Sequence, residues 1–99
     1  MSYAIRTSPV FERKLSKILK RKSDLDEQVR TVLSLLAENP FDRRLRTHKL
    51  KGKFNDCWAC SIDSDLPIIF EFPEKTKNES RHHADELFLL TIGTHDEVY

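Results

Sequence analysis

The apolar residues of this chain change period part-way along, and that change limits the possible folds more than any other feature. Phe11, Leu15, Ile18 and Leu19 share one helical face, with Arg13, Lys14, Lys17, Lys20 and Arg21 on the other. Ser8-Pro9 supplies the start, a hydroxyl cap followed by a proline whose missing N–H would be unpaired anyway. Ser23 or Asp24 restarts the chain. Leu25, Val29, Val32, Leu33 and Leu36 form a second apolar face, and Asn39-Pro40 stops it. So short a link predicts an antiparallel helical hairpin. Beyond Phe54 the period falls to two. Trp58, Cys60 and Ile62 alternate with Cys57, Ala59 and Ser61, Asp63-Ser64-Asp65 reads as a turn, and Ile68, Phe70 and Phe72 alternate again. Leu87 to Ile92 is a further apolar strand, and Tyr3 to Thr7 is short enough for a first one. The order is β-α-α-β-β-β, an α+β domain with a helical hairpin packed on an antiparallel sheet.

The 99 residues suit one domain, residues 1–99, with a single modest core. No apolar run approaches the ~20 residues of a membrane span. Met1 to Arg6 lacks an apolar signal core, so the expected compartment is the cytoplasm, with no membrane partner. The net charge of +1 conceals an asymmetry. Residues 1–53 hold 14 Lys/Arg against 6 Asp/Glu, and residues 54–99 hold 3 against 10. A basic half fits a partner with a phosphate backbone, although lysines and arginines also simply solvate helix faces.

Cys57-Trp58-Ala59-Cys60 has the spacing of a redox pair or half a zinc site. A zinc site needs four ligands, and a redox pair usually opens a helix, whereas the local pattern here is a strand. Two ordinary reduced cysteines on opposite strand faces are the better reading. Phe41 to Phe54 is irregular and basic. Pro73 to Glu86 reads as a long polar loop, and its His82-His83 has no further metal ligand close in sequence.

Two short motifs are more specific. His48-Lys49-Leu50-Lys51-Gly52 precedes the first long strand of the second half, and Gly93-Thr94-His95-Asp96-Glu97-Val98-Tyr99 ends the sequence. With Asp65 ahead of Ile68-Ile69-Phe70, they make the chain resemble the RelE/ParE toxin superfamily, nearest its YafQ-like branch of mRNA interferases. The resemblance implies the toxin of a type II toxin–antitoxin pair, an endoribonuclease that enters the ribosomal A site and cuts mRNA there. It implies no metal and no other cofactor. The RNA's 2′-OH attacks the adjacent phosphate, and a cognate antitoxin silences the toxin in a hetero-oligomer.

Such a reaction needs a base, an acid and positive charge at the phosphorane. Positioned acids and bases each contribute about 10²–10⁴-fold, and histidine suits both tasks near neutrality. His95, directly after the last strand, matches the branch's C-terminal catalytic histidine. His48 matches the other histidine, and the cations around it favour its neutral form. Which is acid and which is base stays open. Asp65 matches the active-site carboxylate, though a turn aspartate is equally ordinary. Tyr99 matches an aromatic residue that can stack on a base, worth roughly 1–3 kcal/mol. Trp58 belongs to the core. Arg43, Arg44, Arg46, Lys49, Lys51 and Lys53, with the lysines of the first helix, are expected to meet rRNA phosphates.

Two positions depart from the family pattern. Pro67 stands where many members have an arginine that supports the scissile phosphate, and Thr91 where close relatives have a second. Losing one such stabiliser typically costs about 10²–10³ in rate. Weakened activity is therefore expected, with Pro67→Arg raising it. The competing readings are a ParE-like gyrase inhibitor, which the paired histidines argue against, and a silent toxin that only binds its antitoxin.

Overall fold

The computed structural model describes residues 3–52, 56–61, 66–73 and 85–93. Strand β1 (Tyr3–Thr7) leads into helices α1 (Pro9–Arg21) and α2 (Leu25–Glu38). A single 3-10 turn (Arg43–Leu45) follows, then β2 (His48–Lys49), β3 (Trp58–Ser61), β4 (Pro67–Glu71) and β5 (Asp85–Ile92). The five strands form one sheet in the order β1-β5-β4-β3-β2. It is antiparallel from β2 to β5, as expected, but β1 runs parallel to β5, so the sheet is mixed. The segment expected to be irregular holds the 3-10 turn and β2, both too short to show a period.

The helices start and stop where local chemistry dictates. The Ser8 hydroxyl accepts the Phe11 N–H at 3.0 Å and donates to the Leu90 carbonyl at 2.8 Å. The Ser8 N–H also donates to the Leu89 carbonyl at 3.0 Å, so the cap pins α1 to β5. Asp24 occupies the cap position of α2 without a capping hydrogen bond. Asn39 closes that helix, its N–H donating to the Leu35 carbonyl at 2.7 Å. The helices pack chiefly on the sheet, α1 over β5 and α2 over β1, rather than on each other.

Both helices lie on one side of the sheet. The core there joins Phe11, Val32 and Leu36 to Leu45, Cys60, Ile68, Phe70, Leu87, Leu89 and Ile92. Fully burying an apolar side chain of this size contributes about 1.5–3 kcal/mol. The opposite face has its own small cluster, Cys57, Ala59 and Ile69, flanked by Leu50 and Leu90. No described helix covers that face, and His48, Pro67 and Thr91 lie on it. Among the described residues no helix is long and apolar enough to cross a membrane.

Candidate functional site

Directly paired strand residues share a face of the sheet. His48 pairs with Ala59, Ala59 with Ile69, and Ile69 with Thr91. These four form one row across the helix-free face, about 14 Å long at ~4.8 Å per strand. The next row holds Ser61 and Pro67. The Gly93 N–H reaches the Pro67 carbonyl at 3.3 Å. Leu66 and Gly93, the described residues nearest Asp65 and His95, thus lie at the same end of the sheet. Asp65, His95, Tyr99 and Lys53 themselves lie outside the described residues, as do Ile62, the turn at residues 63–65 and His82-His83.

His48 is exposed at the β2 edge. Its Nδ1 lies 3.1 Å from the Arg46 carbonyl. A carbonyl only accepts, so this hydrogen bond requires the proton on Nδ1. The neutral ring then presents Nε2 unprotonated, the form a general base needs.

The two positions that depart from the family pattern both lie on this face. The Pro67 ring is fully buried. Proline is tolerated there because it opens the strand. The burial adds a cost to the expected gain from Pro67→Arg, because the guanidinium would have to leave or open an enclosed space. Thr91 is half-buried, and its Oγ1 is enclosed without a hydrogen-bond partner among the described residues. It adjoins a bulge, since Ile69 pairs with Thr91 but Phe70 with Leu89, leaving Leu90 as the extra residue.

Among the described residues the expected cations divide into groups, with Arg43, Arg44 and Arg46 together around one depression. Lys49 follows His48 in β2 and points to the other face, its Nζ 5.9 Å from the Trp58 ring centroid. Arg44 is held by Asp42, with Nε to Oδ1 and Nη2 to Oδ2 both at 2.9 Å. Side-chain and backbone hydrogen bonds from Arg44 draw the Asp42 carboxyl down to about 2, and the same pairing raises Arg44. Arg43 and Arg46 have no ion-pair partner among the described residues. Lys51 is exposed just beyond β2. Lys14, Lys17 and Arg21 of α1, with Lys22 just beyond it, line a cavity of about 270 Å³ together with Ile18, Leu66 and Ile92.

Cys57 and Cys60 are free and buried in different clusters on opposite faces of the sheet. Burial pushes the Cys60 thiol up to about 12. Cys57 is also raised, by burial first and then by the charges of Glu71 and Asp56. Among the described residues no three His, Cys, Asp or Glu side chains converge as metal ligands.

Phe41 was not singled out from the sequence. It is 49% exposed, yet its ring stacks on Phe72 at 5.9 Å and meets Trp58 edge-on at 5.0 Å. Its available signal was an aromatic directly after a helix stop and just ahead of Arg43, Arg44 and Arg46.

The family model for YafQ, the bacterial toxin of a type II toxin–antitoxin system, matches residues 3–99. A metal-bound toxin from Helicobacter pylori is 30% identical over the whole of both chains, with a TM-score of 0.73. YafQ from E. coli BL21(DE3) superposes with a TM-score of 0.74 at 16% identity, covering 98% of each chain. YafQ in the E. coli DinJ–YafQ toxin–antitoxin complex gives 0.73 at 16% identity, covering 100% of this chain and 99% of that one. No curated protein sequence matches.

Proposed function

The chain belongs to the YafQ family of type II toxins, and from that premise we propose that it is a ribosome-dependent endoribonuclease cutting mRNA in the A site. The observation that carries the reading is His48. It stands exposed on the helix-free face, with Nδ1 engaged by the Arg46 carbonyl and Nε2 left to take a proton.

In this reading one histidine removes the 2′-OH proton while the other protonates the leaving 5′-oxygen. The attacking oxygen bonds to phosphorus as the P–O5′ bond breaks, giving a 2′,3′-cyclic phosphate and a free 5′-OH. His48 with Nε2 unprotonated fits the base, and His95 then serves as the acid. Asp65 orients a histidine or accepts a proton, and Tyr99 stacks on a base. Arg43, Arg46, Lys51, Lys53 and the α1 cations meet rRNA phosphates, so ribosome binding weakens as salt rises. DinJ pairs with YafQ in the E. coli complex. By the same logic an antitoxin, acidic where this chain is basic, covers the toxin in a cytoplasmic hetero-oligomer.

Toeprinting of programmed ribosomes tests the reading. Wild type is expected to cut at the A-site codon, while His48→Gln and His95→Ala each lose at least about 10²-fold in rate. No cut by wild type would remove the nuclease reading. It would favour the second one, a silent toxin that binds only its antitoxin, which Pro67 and Thr91 support by leaving uncharged two positions where the family resemblance implies arginines.

A further inference from the structure

The segment between α2 and β2 has its backbone fixed by buried anchors and by hydrogen bonds from its own side chains. Pro40 and Leu45 are buried and anchor it to the core. The Phe41 N–H donates to Asn39 Oδ1 at 3.0 Å, and the Arg44 N–H to Asp42 Oδ1 at 2.9 Å. The Thr47 hydroxyl donates to the Pro40 carbonyl. Arg46 has a φ of 53°, in the left-handed region that favours glycine. Such a conformation persists where its surroundings over-determine it, and it tends to mark functional segments.

This segment presents an open depression of about 810 Å³ lined by Asn39, Phe41, Asp42, Arg43, Arg44 and Arg46. Phe41 is the one exposed aromatic ring among the described residues. Phe72 and Trp58 support it from behind. Asp42 neutralises Arg44, whereas Arg43 and Arg46 have no carboxylate partner among the described residues. A supported aromatic face beside two uncompensated guanidiniums has the chemistry of a single-stranded nucleic-acid subsite.

We propose that Phe41, Arg43 and Arg46 form a binding subsite for an unpaired RNA nucleotide, its base stacked on Phe41 and its flanking phosphates held by the two arginines. Trp58 and Lys49 belong to the helix side of the sheet, and Phe41 packs against Trp58, so the subsite lies across the sheet from His48. The proposal stands apart from cleavage, because binding alone reads it.

The probe is a short single-stranded RNA with 2′-O-methyl sugars, which lacks the attacking hydroxyl. Trp58 is the only tryptophan in the chain and touches Phe41, so its emission serves as an internal reporter. Titration of the whole chain is expected to change that emission. Phe41→Leu is expected to weaken binding roughly fivefold or more, and Phe41→Tyr to retain it. Arg43→Gln with Arg46→Gln should reduce the salt slope by about 1.4, at ~0.7 per phosphate contact, and Arg30→Gln should leave it unchanged. Equal binding by Phe41→Leu and the parent would overturn the subsite. So would Phe41-dependent binding of an acidic peptide with RNA binding indifferent to Phe41, which would assign the surface to a protein partner. Ribosomal cleavage that persists while this binding fails would sink the subsite alone. Binding without cleavage would sink only the nuclease reading.

Discussion

At the scale of single residues, adjacent side chains have separate tasks because a strand sends them to opposite faces. His48 faces the helix-free side and Lys49 the aromatic cluster, although in sequence both belong to one basic motif. His48 was legible as chemistry because histidine is scarce and its motif specific. The opposition of the two was not legible, because β2 is two residues long and shows no alternation of its own. Phe41 escaped for a related reason. Only packing against Trp58 and Phe72 distinguishes a supported, exposed ring from a core residue. Pro67 shows the converse, a substitution whose meaning changes once burial is known. Pro67→Arg is expected to lower stability by at least about 1 kcal/mol, through overpacking and an enclosed charge. A urea titration checks this. An unchanged midpoint with increased cleavage would show that the arginine reaches the open face freely.

Individual elements were legible in proportion to how local their causes are. The helices follow from the spacing of Phe11, Leu15 and Ile18, the Ser8 cap and the Asn39-Pro40 stop, all encoded within a few residues. The parallel pairing of β1 with β5 follows from no local signal, since its partners lie some eighty residues apart, Tyr3 opposite Asp85 and Thr7 opposite Leu89. Ser8 links these two levels. Its hydroxyl caps α1 and also reaches the Leu90 carbonyl of the bulged strand. Ser8→Ala is therefore expected to destabilise the protein by about 1–2 kcal/mol, toward the upper part of the usual range for a lost cap. A change of only a few tenths in a thermal or urea melt would show that the link to β5 contributes nothing.

For the whole molecule, the core on the helix side of the sheet gives a direct probe of its integrity. Cys60 is wholly buried there, and burial pushes its thiol up to about 12. In a Cys57→Ser background, Cys60 is expected to resist a soluble thiol reagent at neutral pH and to react only as the molecule unfolds globally. Rapid labelling of the native protein would mean that β3 opens on its own. The position of β5 in the sheet has another consequence, one that concerns synthesis. β5 lies between β1 and β4, yet it is the last of the described strands to be made. Until it leaves the ribosome, β1 lacks its one partner among the described strands and α1 lacks the strand it packs on. A nascent chain of this kind therefore holds its first strand and first helix unsupported until residues 85–92 have emerged, and only then can the Ser8 hydroxyl reach the Leu90 carbonyl.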